Sequence, residues 1–286
     1  MDTTATRLQE AEVEDPRLNA EMLLGHVLGW DRAAVQAHPQ RAVGDTQRKR
    51  FMDLVRRRSA REPLQYILGR WEFHGRQFVI TPAVMVPRPE TELLVDVCLD
   101  AMEPGRRAWA ADIGTGSGII AVSLAAARPE LRVIATDSSE KALETAALNA
   151  ARHRVSGRVV MAKGHLAQPV RAYPPPGREG VELVVSNPPY VPTGDLESLQ
   201  PEVRKYEPPV ALNGGPDGLD VIRRLIPQAT EVLLPGGLLA LEIGQGQARA
   251  VEKLIQQADA YQPETVATVR DHAGIERVIS ARKRTK

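Results

Sequence analysis

Alternating strand and helix patterns run from Arg107 to the end of the chain, and they constrain the fold more than any other feature. Short apolar runs predict strands at 108–113, 131–136, 158–162, 181–186 and 238–243, with two more near 265–270 and 275–281. Helical spacing of apolar residues predicts helices at 119–128, 139–152, 219–233 and 247–258. Such alternation predicts an α/β fold in which helices cover both faces of a mostly parallel sheet.

The first 60 or so residues follow a helical pattern instead. Apolar residues from Leu18 to Leu28 recur at helical spacing, and a second helix, with Asp45 or Thr46 as its predicted N-terminal cap, carries Phe51, Leu54 and Val55. The opposite face of this second helix is basic, with Arg48, Lys49, Arg50, Arg56, Arg57, Arg58 and Arg61. This face is either a solvated helix surface or a docking surface for an acidic partner.

Between these two regions the pattern changes once more. The stretch WEFHGRQFVITPAVMVPRP alternates apolar and polar residues around Gly75, which predicts a β-hairpin. We therefore expect a helical domain at 1–70, a hairpin linker at 71–90 and an α/β domain at 91–286.

Composition narrows the classes of function. The net charge of +1 and the 4% aromatic content argue against a nucleic-acid reader that works through a basic, base-stacking surface. Cys98 is the only cysteine, so a disulfide within the chain and a cysteine metal cluster are excluded. The polar N-terminus lacks a signal-peptide pattern, and no run of 18 apolar residues occurs. We expect a cytoplasmic protein without a membrane span or a bound metal.

A glycine-rich turn, DIGTGSG at 112–118, follows the first strand of the α/β region and opens a helix. Glycines allow a tight turn and a close approach of a ligand to the backbone. The G-x-G-x-G spacing, with an acid two residues ahead of the first glycine, differs from the G-x-G-x-x-G of dinucleotide binders. It is typical of S-adenosylmethionine (SAM) sites. The predicted SAM-binding residues here are Asp112, Gly114, Thr115, Gly116, Ser117 and Gly118.

Two further segments fit the same ligand. Asp137 ends the second strand, where a carboxylate can accept hydrogen bonds from both ribose hydroxyls. The segment KGHL follows the third strand, so Leu166 can pack on the adenine ring and His165 can hydrogen-bond to its edge.

The segment SNPPY at 186–190 ends the fourth strand and is stiff, because both prolines fix their own φ and restrict the preceding residue. Asn187 offers a side-chain oxygen and Pro188 a backbone oxygen, and two acceptors side by side can hold both hydrogens of a planar NH₂ group. Tyr190 can pack against that flat group, with Pro189 beside it. Pinning both hydrogens would aim the nitrogen lone pair at the SAM methyl group and would stabilise positive charge on the nitrogen.

Taken together, these motifs make the chain resemble the peptide chain release factor N5-glutamine methyltransferases, the HemK/PrmC family. The resemblance covers most of the chain and includes DPRLNAEMLL, PLQYILGRWEFHG, VPRPETELLVD, DIGTGSGIIAVSLA, SNPPYV and EPPVALNGGPDGL. The PRPETE and EPxxALxGGxDGL patterns are the most specific, because the SAM loop and SNPPY also suit other amino-group methyltransferases.

The resemblance implies a class I SAM-dependent methyltransferase fold, Rossmann-like with a seven-stranded sheet, preceded by a helical domain that docks the release factor. The implied substrate is the glutamine of the GGQ motif in class I release factors, bound by the catalytic segment Asn187–Tyr190, in which Asn187 is also expected to contact SAM. Arg88 and Glu92 are expected to shape the substrate pocket. His165 stands where family members often carry an acid, which is a departure from the family pattern. We expect a monomer that holds no stable nucleic acid and no membrane.

Two rival functions remain open at this point. An adenine-N6 or other nucleic-acid amino-group methyltransferase would use the same four-residue motif, but an enzyme that flips a base from duplex DNA usually carries a basic recognition surface. A SAM-sensing regulator would not need an acceptor pair beside the methyl group.

Overall fold

The computed structural model describes residues 2–285 and divides into two compact units. The first unit contains the chain up to Trp71 together with Gln200–Tyr206. The second unit contains Glu72–Leu199 and the chain from Glu207 onward. Residues 72–90, which we expected to be a linker, thus group with the second unit, and a short segment from far along the sequence joins the first.

The first unit begins with five helices: α1 (Asp2–Glu10), α2 (Pro16–Leu28), α3 (Arg32–Ala37), α4 (Asp45–Ser59) and α5 (Leu64–Leu68). Their apolar faces meet in one core that includes Leu8, Leu23 and Val55. The prediction of helices is confirmed, but the predicted cap of the basic helix is wrong. Gly44 caps α4, and Asp45 lies in the first turn, where its charge interacts favourably with the helix dipole.

The predicted hairpin is also present: β1 (Arg70–Phe73) and β2 (Arg76–Val79) form a two-stranded sheet. The main sheet has seven strands, which are β3 (Ala108–Ile113), β4 (Leu131–Asp137), β5 (Val159–Lys163), β6 (Val181–Ser186), β7 (Leu233–Glu242), β8 (Ala267–Arg270) and β9 (Glu276–Arg282). Their order is β5-β4-β3-β6-β7-β9-β8, and only the pairings made by β9 are antiparallel. The predicted mostly parallel sheet is confirmed.

Seven more α-helices follow the hairpin in the described chain: α6 (Glu90–Asp100), α7 (Ile119–Ala127), α8 (Glu140–Arg152), α9 (Gln168–Ala172), α10 (Pro201–Tyr206), α11 (Asp220–Val232) and α12 (Ala248–Gln257). Helix α10 belongs to the first unit and the other six belong to the second. The four that we predicted, α7, α8, α11 and α12, are confirmed within a few residues at each end. Helices α6, α9 and α10 were not predicted. Within residues 2–285, no helix combines the length and the hydropathy that crossing a membrane requires.

The order of strands places a crevice at the carboxyl ends of β3 and β6. These two strands are parallel neighbours, but the chain leaves β3 towards β4 on one side and leaves β6 towards β7 on the other. Ligands of open α/β sheets bind where the strand order reverses in this way. The Ser186 hydroxyl donates a 2.6 Å hydrogen bond to the carbonyl of Ile113 and ties the two strand ends together.

Helix α10 completes the first unit through a buried ion-pair network centred on Glu202. The Glu202 carboxylate accepts hydrogen bonds from Arg58 at 2.8 Å and from both Nε and Nη2 of Arg61 at 2.6 Å. Arg58 also donates to Asn19 Oδ1 at 2.8 Å. Burial alone would raise the pKa of Glu202, but the hydrogen bonds from the two arginines outweigh it and lower that pKa below its ordinary value.

The basic face of α4 is therefore smaller than the sequence suggested. Arg58 and Arg61 face Glu202, Arg57 pairs with Glu62, and Arg56 pairs with Asp53. Arg48, Lys49 and Arg50 are exposed and form no ion pair with any other described residue. We call these three residues the basic patch.

We expect Glu202→Ala to destabilise the first unit, because the change leaves the Arg58 side chain, only 7% exposed, as an uncompensated buried charge. The loss should be ~2–3 kcal/mol, near the low end for a broken buried pair, since Glu202 keeps 13% of its side-chain surface exposed. Hydrogen exchange of the α2 and α4 amides measures this loss in the free energy of unfolding of the first unit. Glu12→Ala is the matched control, because Glu12 is 89% exposed and lies 3.9 Å from Arg61. Equal protection in the two variants would contradict the network's stabilising role.

Candidate active site

A cleft opens at the carboxyl edge of the sheet, where the strand order reverses. Four segments of the second unit line it: the turn after β3, the end of β4, the turn after β5 and the segment after β6. Residues on either side, at 83–85 and 210–211 with Pro87 and Pro208, form further walls, and Thr91 of α6 also lines the cleft. Most of the residues that the sequence singled out as SAM-binding, and two of the four singled out as amide-binding, thus line one cleft.

The glycine turn after β3 has the conformation that its sequence requires. Gly114, Gly116 and Gly118 have φ values of 72°, 55° and 79°, in the left-handed region that favours glycine. A Cβ on Gly118 would lie 2.9 Å from Cβ of Ala146, so close packing on α8 excludes a side chain there. Beside Gly114 and Gly116, in contrast, no atom lies within 4 Å of an added Cβ, which leaves room for a ligand against the backbone.

Asp112 lies buried beneath this turn and holds it in place. Its Oδ2 accepts hydrogen bonds from the Thr115 hydroxyl at 2.6 Å and from the Ala121 amide at 3.1 Å. Its Oδ1 is buried without a hydrogen-bond partner among the described residues, and burial raises the pKa of this carboxyl to about 7. A carboxylate with an unused acceptor favours a cationic ligand above the turn, and SAM carries positive charge on both its sulfonium and its amino group.

Asp137 ends β4 and lines the cleft, as a ribose-binding carboxylate should. Its Oδ2 accepts from the Gly116 amide at 3.0 Å and its Oδ1 from the Ser139 amide at 2.8 Å. These bonds fix the carboxylate in one orientation. Each oxygen keeps a second lone pair that a ribose hydroxyl can use.

His165 and Leu166 line the cleft on the far side of β4. Leu166 has a φ of 51° and its carbonyl accepts from the Thr136 hydroxyl at 3.0 Å, which fixes the turn after β5. His165 is exposed, and its Nε2 lies 3.1 Å from Nη2 of Arg224, so Nδ1 carries the proton of the neutral ring. With the open glycine turn and the oriented Asp137, these residues fit a nucleoside that carries a cationic amino-acid tail.

The segment after β6 carries two acceptors that no described donor uses. Nδ2 of Asn187, which lines the cleft, donates to the Thr91 hydroxyl at 3.1 Å, and no hydrogen bond from within residues 2–285 engages Oδ1. The carbonyl of the buried Pro188 likewise accepts no hydrogen bond from the described chain. Pro189 lines the cleft. Two unused oxygens on adjacent residues are what an NH₂ group with two hydrogens requires.

Tyr190 takes a different place from the one we expected. It does not line the cleft, and its hydroxyl donates to Oε1 of Glu242 at 3.2 Å. Burial, with the nearby Glu242 charge, raises the pKa of Tyr190 above its ordinary value. In this structure Tyr190 therefore anchors the end of the segment instead of forming a wall against a flat substrate group.

The loop NGGPDGL at 213–219 clamps the chain where it leaves Tyr190. Gln247 donates to the Tyr190 carbonyl at 2.9 Å, and a Cβ on Gly218 would lie 2.3 Å from that same oxygen. Val191 donates to the carbonyl of Leu212 at 2.9 Å. Only glycine fits at 218, so the specific EPxxALxGGxDGL pattern has a structural role in holding the end of the segment Asn187–Tyr190.

Arg88 and Glu92, expected at the substrate pocket, have separate structural partners. Arg88 donates to Oε1 of the buried Glu207 at 2.6 Å, while Oε2 of Glu207 accepts from the Val86 amide at 3.2 Å. Burial raises the pKa of Glu207, against the opposing effect of Arg88. Glu92 accepts from the His74 amide at 2.8 Å and so caps the hairpin turn. Neither Arg88 nor Glu92 lines the cleft, although the neighbouring Pro87 does.

Sequence reasoning missed two residues next to Asn187. Thr91 lies inside the quoted PRPETE pattern but was given no role, and Glu242 ends a predicted strand. The hydroxyl of Thr91 donates to Oε2 of Glu242 at 2.7 Å. The only signal in the sequence was an acid at the end of an otherwise apolar strand, which is costly to bury unless it is hydrogen-bonded.

Comparison with solved structures agrees with the observed fold. Ribosomal protein L11 methylase from Lactobacillus delbrueckii subsp. bulgaricus superposes with a TM-score of 0.51 at 18% identity, over 72% of this chain and 84% of that one. At this level of identity, the likeness shows a shared methyltransferase fold alone.

Two family models match parts of the chain. The PrmC N-terminal domain matches residues 1–69, and the methyltransferase small domain matches residues 89–199. The release factor glutamine methyltransferase of Geobacter sulfurreducens is 42% identical over 285 residues, covering 99% of this chain and 95% of that protein. The one from Moorella thermoacetica is 42% identical over 278 residues, covering 97% and 95%. Since identity at this level extends over nearly the whole of each protein, the chain belongs to the family of release factor glutamine methyltransferases.

Proposed function

We propose that this protein transfers a methyl group from SAM to the side-chain amide nitrogen, N5, of the glutamine in the GGQ motif of class I peptide chain release factors. The observation that carries the proposal is a pair of unused acceptors on adjacent residues: Oδ1 of Asn187, a residue that lines a cleft that fits SAM, and the carbonyl of Pro188. Relatives that match the chain over nearly its whole length are named for this activity.

The cofactor would lie along the carboxyl ends of β3 and β4. The turn Gly114–Gly118 would hold its amino-acid portion, Asp137 its ribose, and Leu166 with His165 its adenine. When bound, SAM supplies a methyl group made electrophilic by the sulfonium, so the protein needs no nucleophile of its own.

The protein's own task is to make a weak nucleophile react. An amide nitrogen is a poor nucleophile because its lone pair is delocalised into the carbonyl. When Asn187 and Pro188 accept both N–H hydrogens, they orient the nitrogen and stabilise the positive charge that it gains. Both oxygens belong to a segment fixed by two prolines, so little reorganisation is required. The excess proton passes from the nitrogen to solvent water after the bond has formed.

Methylation of an adenine amino group is the alternative, because an exocyclic NH₂ group would fit the same acceptor pair. The net charge of +1 gives no general attraction for a polyanion. A protein substrate also accounts for a first unit whose family model is found in release factor methyltransferases. We accordingly propose no stable association with nucleic acid, a monomeric enzyme, and a site of action in the cytoplasm, where release factors work.

We further propose that the first unit docks the release factor through the basic patch Arg48, Lys49 and Arg50 on α4. These side chains are exposed and unpaired among the described residues, whereas the other arginines that we assigned to this face hold acidic partners. An acidic surface on the partner would complement the patch.

Transfer of label from labelled SAM tests the proposed function directly. We expect label on a class I release factor and none on DNA, and mass spectrometry should place the methyl on the glutamine of the GGQ motif. Label on DNA with none on the release factor would reverse the choice between the two substrates.

Asn187→Ala should reduce kcat on release factor by on the order of 10²–10³-fold, the usual cost of removing one preorganised hydrogen-bonding group from a site of developing charge. Because Asn187 is assigned to the substrate amide, the Kd for SAM should stay within a few-fold of the unaltered protein. Isothermal titration with SAM provides that control. A parallel loss of SAM binding would mean that Asn187 serves the cofactor.

Reversing the charge of the basic patch, with Arg48→Glu and Lys49→Glu together, should raise KM for the release factor and leave kcat and the Kd for SAM unchanged. The KM increase should shrink as ionic strength rises, because exposed charges are screened over about 8–10 Å in salt. Arg249→Glu with Lys253→Glu, two exposed residues of α12, makes the same change in net charge and is the control. Equal KM values for the two double variants would exclude the patch as a docking surface.

A further inference from the structure

A chain of hydrogen bonds lies behind Asn187 and leads away from the cleft into the protein. Asn187 Nδ2 donates to the Thr91 hydroxyl at 3.1 Å, and that hydroxyl donates to Oε2 of Glu242 at 2.7 Å. Oε1 of Glu242 accepts from Tyr190 at 3.2 Å. Thr91 and Glu242 are each only 1% exposed. A buried carboxylate at the end of β7 thus joins both ends of the amide-binding segment.

The direction of these hydrogen bonds matters because the two ends of an asparagine amide are nearly identical in shape. One orientation turns Oδ1 into the cleft as an acceptor, and the other turns the NH₂ group there as a donor. Only the first orientation can hold a substrate NH₂ group. The second would place donors against donors and would leave the substrate hydrogens unpaired.

The Thr91 hydroxyl determines which orientation of the Asn187 amide is stable, and Glu242 determines which way that hydroxyl points. A hydroxyl has one hydrogen to donate. An ionised Glu242 can only accept, so it takes the Thr91 hydrogen, and the Thr91 oxygen is then left to accept from Asn187 Nδ2. If Thr91 had no acceptor behind it, its hydrogen would be free to turn towards Oδ1 of a flipped Asn187.

We propose that Thr91 and Glu242 are positioning residues that set the orientation of the Asn187 amide and so create the acceptor pair for the substrate. This inference rests on the proposed function, and it assigns roles to two residues that do not bind the substrate nitrogen. Tyr190 is the second donor to Glu242, which fixes the far end of the same segment.

We call the hydrogen-bonded chain Asn187–Thr91–Glu242 the relay. Its hydrogen-bond directions depend on the protonation of Glu242. Burial raises the pKa of this carboxyl to about 7, with hydrogen bonds from Thr91 and Tyr190 acting against it. The charged groups that face it are Glu90 of α6, which raises the pKa, and Arg277 of β9, which lowers it. A protonated Glu242 can donate to Thr91 and free the Thr91 hydrogen for Asn187. Turnover should therefore be lost as pH falls through the pKa of Glu242.

The test compares Thr91→Val, which removes the hydroxyl at nearly constant shape, with Thr91→Ser, which keeps it. We expect Thr91→Val to lower kcat on release factor by about 10²-fold, the cost of a misplaced reacting group. KM for the release factor and the Kd for SAM should change little. Tm should fall, because the buried Glu242 loses the hydrogen bond from Thr91, and Thr91→Ser should recover most of kcat and of Tm. Thr230→Val is the control, since Thr230 lies on α11 and donates to the carbonyl of Ile226.

Three results would overturn the inference: near-normal kcat in Thr91→Val, a serine variant as impaired as the valine variant, or a parallel loss of SAM affinity. If the unaltered protein transfers no methyl to release factor, the proposed function itself fails and this inference fails with it. Normal transfer by the unaltered protein together with any of the three results leaves the proposed function standing and removes only the positioning role.

A pH profile at saturating SAM provides a readout that a purely structural role would not change. In the unaltered protein kcat should rise with pH through about 7 and then level off. Glu242→Gln cannot ionise, so its remaining kcat should lose the part of that rise that Glu242 causes. Burial raises the pKa of Asp112 to about 7 as well, and Asp112 is present in both proteins, so only the part of the rise that the variant loses is assigned to Glu242. An unchanged acid limb in Glu242→Gln would contradict the relay.

Discussion

The parallel pairing of β3 with β6 is the constraint on which the rest of the structure depends. It brings together two chain segments that leave the sheet 73 residues apart, joined at their strand ends by the hydrogen bond from Ser186 to Ile113. The glycine turn follows β3, and the segment Asn187–Tyr190 follows β6. Because the chain departs from β3 and β6 in opposite directions, neither exit path fills the space above the strand ends. The site results from sheet topology first and from individual side chains second.

Much of this architecture could be predicted from the sequence, because the patterns concerned are local. The strands Ala108–Ile113 and Val181–Ser186 have the predicted bounds, since each is a mainly apolar run that is followed by a turn signal. The glycine turn and the stiff segment after β6 are also local, because glycine spacing and paired prolines restrict the backbone wherever they occur. Parallel topology then follows from the alternation of elements, which places both motifs at one edge.

The parts that were missed depend on contacts between distant residues. Thr91 and Glu242 are separated by 151 residues and Arg58 and Glu202 by 144, and no periodicity links either pair. Helix α6 was not predicted, although the buried Leu94, Val95 and Cys98 follow PRPETE at helical spacing. Tyr190 was expected against the substrate because aromatic rings suit flat groups, but a buried carboxylate behind it offered its hydroxyl a partner. Hydrogen bonds between residues distant in sequence determine where Thr91, Glu242 and Tyr190 lie, and local patterns do not reveal such bonds.

The proposed methyl transfer depends on two protein oxygens that receive the hydrogens of one substrate amide group. A crystal structure of the protein with S-adenosylhomocysteine and a peptide containing the GGQ glutamine would measure this directly. The account predicts that the glutamine nitrogen lies within hydrogen-bond distance, about 2.7–3.2 Å, of both Oδ1 of Asn187 and the carbonyl oxygen of Pro188. It also predicts that Asn187 Nδ2 remains on the Thr91 hydroxyl. A glutamine bound with its carbonyl oxygen towards Asn187, or an Asn187 amide turned the other way, would contradict it.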